Sequence, residues 1–218
     1  MRRNTWKLTQ ALALLACCAN AQVAVDTPDD GLVRIPSSRE AAVYRSADVA
    51  FVQYKRLMFD PATVTFKAGW RREHHKLTEA QVERVRSRAA IGFQEEIRKE
   101  LVDRGRYPVA AAPAPDVLRI KPLIVELDQT DPTAGTVLGK RSFSRTAVRM
   151  KLIVELYDAA SGVLVGRIHD LTPPREYPDP RLLDQVFIDT EARRAFANAS
   201  RLAHEALSVA MTERPRAN

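Results

Sequence analysis

Val148, Met150, Leu152, Val154 and Leu156 are separated by Arg149, Lys151, Ile153, Glu155 and Tyr157. A spacing of two places the first set on one face of a β-strand. Such a strand needs neighbours along its edges and an apolar layer over that face. Asp158-Ala159-Ala160-Ser161-Gly162 reads as a hairpin loop, and 163–168 as the returning strand. The chain must therefore contain at least an antiparallel sheet and something to cover it.

Two helical patterns supply the cover. Thr78 and Gln81 have capping-box spacing, and Leu77 and Val82 stand where a hydrophobic staple places them. Val82, Val85, Ala89, Phe93, Ile97 and Leu101 follow at steps of three or four, which puts them on one helical face. Gly105 is read as the residue that stops this helix. Gly92 costs the helix about 1 kcal/mol relative to Ala, and points to close packing there or to simple tolerance. The second pattern runs from about Thr190 to Met211, with an alanine-rich stripe through Ala195, Phe196, Ala199, Leu202, Ala203 and Ala206. Small residues along a stripe let a helix lie close to its partner. Pro215 ends the pattern.

Residues 54–59 and 63–66 carry β-branched and aromatic residues around an Asp60-Pro61 turn. Residues 67–76 read as a charged loop holding Trp70. The stretch 116–128 is a long strand whose apolar residues change parity, from Leu118 and Ile120 to Leu123, Val125 and Leu127. That change predicts a bulge or bend near Pro122. Residues 107–115 and 172–180 are proline-broken connectors. The order predicts a single α+β domain over 51–213, a mostly antiparallel sheet with two main helices packed on one face. Residues 22–50, polar and interrupted by Pro28 and Pro36, are read as a flexible arm or linker.

The first 21 residues differ from the rest. Arg2, Arg3 and Lys7 precede an uncharged stretch from Leu8 to Cys18, followed by Ala19-Asn20-Ala21. This is the layout of a secretory signal, too short for the ~20 residues of a spanning helix. Cleavage after Ala21 leaves Gln22 first. Leu14-Leu15-Ala16-Cys17 also resembles a bacterial lipobox, in which 1–16 is removed and Cys17 carries acyl chains. Leu15 is bulkier than that pattern usually carries, and both routes stay open. The whole chain has 34 Lys plus Arg against 27 Asp plus Glu, a net charge of +7. Removing Arg2, Arg3 and Lys7 leaves 34 less three, or 31, against 27, a net of +4. Export and that reduced basicity argue against a nucleic-acid partner. Two Cys in 218 residues exclude a disulfide framework.

Tyr54-Lys-Arg-Leu-Met-Phe-Asp-Pro-Ala-Thr-Val64, Lys67-Ala-Gly-Trp70, Lys99-Glu100-Leu101, Pro115-Asp116-Val117-Leu118-Arg119 and Val154-Glu155-Leu156-Tyr157-Asp158 with Gly162 together form a recognisable pattern. It resembles a bacterial envelope family known as domain of unknown function 3313, over roughly residues 50–172. The resemblance implies an exported lipoprotein, which favours Cys17 as a lipidation site, and it brings no catalytic residues with it.

Motifs that carry chemistry are sparse. There is no G-x-S-x-G, no phosphate-binding glycine loop and no H-E-x-x-H. Glu73-His74-His75 lacks further ligands at metal-binding spacing and reads as a solvated loop. His169-Asp170 has the residue types of a base with its orienting carboxylate, though a strand end entering a loop is the simpler reading. His204 reads as part of a polar helix face. Lys140, Arg141, Arg145, Arg149 and Lys151 form a candidate cationic patch for an anionic envelope component or an acidic protein, unless Glu126 and Glu155 neutralise it. No metal and no cofactor are implied. The resulting expectation is a non-catalytic accessory or interaction protein, exported to the periplasm or the periplasmic face of the outer membrane of a Gram-negative bacterium. It would touch the membrane only through a lipid on Cys17. The alternative is a small periplasmic hydrolase using His169 and Asp170.

Overall fold

The computed structural model describes residues 31–129 and 142–212. The signal-like segment, Cys17, Lys140 and Arg141 lie outside them. The central pairing joins β5 (Val117–Asp128) to β7 (Arg149–Asp158) in antiparallel register, from Leu118 opposite Asp158 to Val125 opposite Lys151. β7 pairs in turn with β8 (Leu164–Asp170) across the expected hairpin. There Asp158 Oδ1 accepts from the Ser161 backbone N–H at 2.7 Å, and Gly162 takes φ +74°. β8 pairs with β2 (Ala41–Ser46), and β2 with β1 (Leu32–Ile35). β3 (Arg56–Phe59) and β4 (Thr63–Phe66) lie end to end along the other edge of β5, both parallel to it. The seven-stranded sheet is therefore mixed but mostly antiparallel, in one α+β domain. A separate two-stranded ribbon joins β6 (Phe143–Ser144) to β9 (Arg181–Leu182).

β1 and β2 correct the reading of 22–50 as an arm. Residues 32–46 are built into the sheet, with Ala41 and Val43 in its core. β2 is too short for its alternation to stand out in sequence. Its burial comes from pairing with β8 rather than from its own composition.

Helix α2 (Glu79–Arg98) begins as its sequence demands. The Thr78 hydroxyl accepts from the Gln81 N–H, and the Gln81 side chain accepts from the Thr78 N–H at 2.8 Å. The predicted apolar face is the buried one, from Val82 through Leu101. The helix then widens into a π-helical turn over Lys99–Arg104. Gly105 is not the left-handed stop; that conformation falls on Arg106 at φ 59°. Glycine is required at 105 for space, since a Cβ there would sit 2.7 Å from the Leu101 carbonyl and 3.1 Å from His204 Nε2.

Helix α3 (Gln185–Thr212) starts five residues before the alanine stripe announces it, because Asp184 caps it. Asp184 Oδ1 accepts from the Phe187 N–H at 2.8 Å. α3 packs beside α2 on the same face of the sheet. Gly92 proves to be a contact point: a Cβ on it would lie 3.1 Å from Phe196, whose ring stacks on Phe93 with centroids 5.3 Å apart. Trp70, read as lying in a loop, opens the short helix α1 (Trp70–Glu73) and is buried. It is stacked between Phe66 and His74, and its indole N–H donates to the Gln129 carbonyl at 3.0 Å.

The bulge in β5 lies at Glu126, not at Pro122. Register slips by one between Val125 and Asp128, and Glu126 is left-handed at φ 57°. Leu118, Ile120 and Ile124 face the helices, and after the slip Leu127 does too. Leu123 and Val125 face the opposite side with Ile153. Pro122 is tolerated mid-strand for a topological reason. The Ile120 carbonyl accepts from the Asp60 N–H, so alternate backbone groups point toward β3 and β4. Pro122, two residues on, turns its missing N–H to the same side, at the gap between Phe59 opposite Ile120 and Thr63 opposite Leu123.

Phe196→Ala is expected to lower stability by about 3–5 kcal/mol, and Gly105→Ala by about 1–3 kcal/mol through overpacking against backbone. Urea denaturation with an unchanged m-value checks both; near-wild-type midpoints would contradict these packing assignments.

Candidate functional site

The sheet has two faces with different chemistry. On the face away from the helices, the odd-numbered residues of β7 meet those of β5 and β8. Glu155 is buried, 5% exposed, at the centre. Its Oε1 accepts from Arg167 Nη2 at 3.1 Å, and its Oε2 from the Tyr157 hydroxyl at 2.7 Å, with Lys121 Nζ 3.7 Å away. Arg119 lies over the Tyr157 ring and approaches Asp60 at 3.2 Å. Burial, with the Glu155 hydrogen bond, pushes the Tyr157 hydroxyl above its ordinary range. The cluster is an ionic network that links β5, β7 and β8 across the outer face of the sheet.

His169 and Asp170 end up on opposite faces, because adjacent strand residues alternate. His169 lies on this outer side, opposite Ala42, with its ring 5.4 Å from that of Tyr44. Asp170 turns toward the helices, where Oδ1 accepts from the Thr172 N–H at 2.8 Å. The two cannot act as a base and its orienting carboxylate, and the hydrolase reading loses its dyad. His74 and His75 bind the Trp70 and Arg72 carbonyls of their own helix end. Among the described residues no group of three His, Cys, Asp or Glu is placed to hold a metal.

Of the candidate cationic patch, Arg145, Arg149 and Lys151 are described. Lys151 Nζ stands 2.8 Å from Glu126 Oε1, and Arg149 4.0 Å from Glu176. Glu155 instead serves Arg167. Arg145 is exposed, and its carbonyl accepts from the Tyr177 N–H.

On the helix side, α3 stands off the start of β7 and leaves a cleft of about 690 Å³. Val148, Met150 and Leu152 form its floor. α3 supplies one wall through Glu191, Arg194, Ala195, Asn198 and Arg201, and residues 172–175 the other. The proline run explains the second wall, since Pro173 and Pro174 carry no backbone N–H and cannot fold back into the sheet. Asn198 ties the walls together: Nδ2 donates to Thr172 Oγ1 at 2.8 Å, and Oδ1 accepts from Arg201 at 2.8 Å. Arg201 also reaches Glu205 and Glu40. Tyr177 donates to Glu191 at 2.7 Å, with Arg175 and Arg181 stacked over its ring. At the edge of the cleft Arg104 pairs with Glu100, whose Oε1 is 3.2 Å from His204 Nδ1. Burial pushes the Glu100 carboxyl up, but hydrogen bonds from His204 and Arg104 outweigh it and hold the group below its ordinary value. The cleft was not visible in sequence, because its members lie on one polar helix face and in a proline-rich connector far apart in the chain.

Residues 28–184 match a family described as "Protein of unknown function (DUF3313)". The chain belongs to that family. No curated protein matches it. Among solved structures, two PelC dodecamers from Paraburkholderia phytofirmans, one a point variant, are similar at 13% identity and a TM-score of 0.36. The alignments cover 74% of this chain and 95% and 96% of theirs, a likeness too distant to bear on function.

Glu155→Gln, which removes the buried carboxylate charge that Arg167 and Lys121 both face, is expected to cost about 3 kcal/mol. Lys151→Ala, an exposed pair, is expected to cost under about 0.5 kcal/mol. Equal losses in urea denaturation would remove the distinction between the buried network and the exposed pair. Because the folded Glu100 carboxyl lies below its unfolded value of 4.5, its contribution is complete above that pH and fades as pH falls through the folded value. Stability measured from pH 6 to 3 is expected to fall less steeply in Glu100→Gln than in wild type; identical slopes would refute the assignment.

Proposed function

We propose that this family member is an exported envelope protein that works by binding, not by catalysis, and that the cleft beside α3 is its binding site. The observation that carries the reading is the make-up of that cleft: an aliphatic floor under a rim of guanidinium and amide groups, with Asn198 joining its two walls. A concave, largely apolar surface with a few fixed polar groups is the usual form of a ligand site. Catalysis by His169 and Asp170 has no support, since the strand separates them. Export rests on the basic start, uncharged core and Ala19-Asn20-Ala21 of the first 21 residues. Among the described residues no helix is long and apolar enough to cross a membrane. A lipid on Cys17 would supply the membrane attachment, and more than one acyl chain is needed for lasting anchorage. The partner we infer is a component of the envelope, proteinaceous or anionic.

Expressed from its own start codon in a Gram-negative host, the chain is expected in the periplasmic or outer-membrane fraction. Intact mass will then show either an acylated Cys17 or a Gln22 start. An uncleaved cytoplasmic chain would overturn export. A photoreactive residue at Ala197, on the cleft, is expected to trap one envelope partner in living cells. Trapping from Val163, on the hairpin, but never from Ala197 would overturn the assignment of the cleft.

A further inference from the structure

We infer that the α3 cleft takes a single-chain anionic amphiphile, with its hydrocarbon chain on the floor and its head group at the Arg175–Arg194 rim. The inference rests on reading the cleft as a binding site and names the chemistry of the ligand. The floor offers a chain of methyl and methylene groups from Val148, Met150 and Leu152, with Ala195 above. Met150 also lines a second cleft of about 430 Å³ on the other flank of α3, where Leu127, Ala192 and Phe196 continue the apolar surface. Met150 is thus shared by two clefts, one on each flank of α3.

The rim decides the sign of the head group. Four arginines line the cleft, but two are committed: Arg104 to Glu100, and Arg201 to Glu205, Glu40 and Asn198. Arg194 has no carboxylate partner among the described residues. Arg175 rests with its guanidinium 4.7 Å from the Tyr177 ring centroid. Stacking uses the face of a guanidinium and leaves its N–H edge free to grip a carboxylate or phosphate ester in two-pronged fashion. The cleft's own acids are partly engaged, Glu191 by the Tyr177 hydroxyl and Asp170 by Thr172 and Asn198. Two arginines beside two carboxylates suit a head group of one charge better than a polyanion. A purely apolar ligand would leave the arginine edge unused, and a free small anion would leave the floor empty.

The test uses the purified processed chain with palmitate, hexadecyltrimethylammonium and acetate, all below micelle-forming concentrations. Calorimetry and the methyl NMR signal of Met150, assigned through Met150→Leu, read binding. Palmitate is expected to bind one to one and shift that methyl. The cation with the same tail is expected to bind at least tenfold more weakly, and acetate not measurably. Arg175→Ala with Arg194→Ala, both exposed, is expected to weaken palmitate about tenfold and erase the preference over the cation. Ala195→Trp, which fills the cleft, is expected to abolish binding. Equal affinity for the two head groups, an unshifted Met150 methyl or undiminished binding to the arginine variant would overturn the inference. If Ala197 traps a partner in cells while palmitate fails to bind, the ligand class is wrong and the binding role stands.

Discussion

The β5–β7 ladder is the constraint from which the rest of this fold hangs. β7 brings the hairpin to β8, and through it β2 and β1; β5 carries β3 and β4 end to end on its other edge. Every other strand of the main sheet joins one of these two directly or, for β1 and β2, through β8. The pairing also decides which residues meet the helices. Even-numbered residues of both strands face α2 and α3 until Glu126, where one left-handed residue shifts the register and brings Leu127 into the core. Without that bulge the end of β5 would present Asp128 to the core, and Trp70 would lose the carbonyl of Gln129.

The same ladder separates the two faces chemically. Its outer side is closed upon itself by Glu155, Arg167, Tyr157 and Lys121, an arrangement in which each charge is answered within the sheet. Its inner side is filled by helix residues except beside the first half of α3. There the proline-rich segment after β8 holds a wall away from the helix, and space is left instead of packing. Structural ion pairs and an open site thus occupy opposite faces, although both are rich in arginine. Arginine content alone distinguishes neither; burial and the presence of a carboxylate partner do.

Much of this was legible in the chain. The capping box at Thr78, the buried stripe from Val82 to Leu101 and the hairpin at Asp158–Gly162 all follow from local pattern. So does the family, from the residues around Tyr54–Trp70 and Val154–Gly162. Other readings failed where a residue's role depended on a distant neighbour. Pro122 looked like the site of the bulge, but a gap between β3 and β4 accommodates it. Gly105 looked like a helix stop, but serves the approach of His204. Residues 32–46 looked like an arm, but β8 supplies the edge that makes them strands.

The sequence by itself determined the elements, their apolar faces and the α+β class, because helix and strand periodicities and capping pairs act over a few residues. It also shows, without any fold, the export-like layout at the start of the chain. Only the tertiary structure decided that His169 and Asp170 part company, that Lys151 is answered by Glu126 and Arg167 by Glu155, and that Arg175, Arg194 and Asn198 share one cleft. Those outcomes depend on which strand edges meet and on how far one helix stands from the sheet. These are distances between segments far apart in the chain, and no local pattern records them.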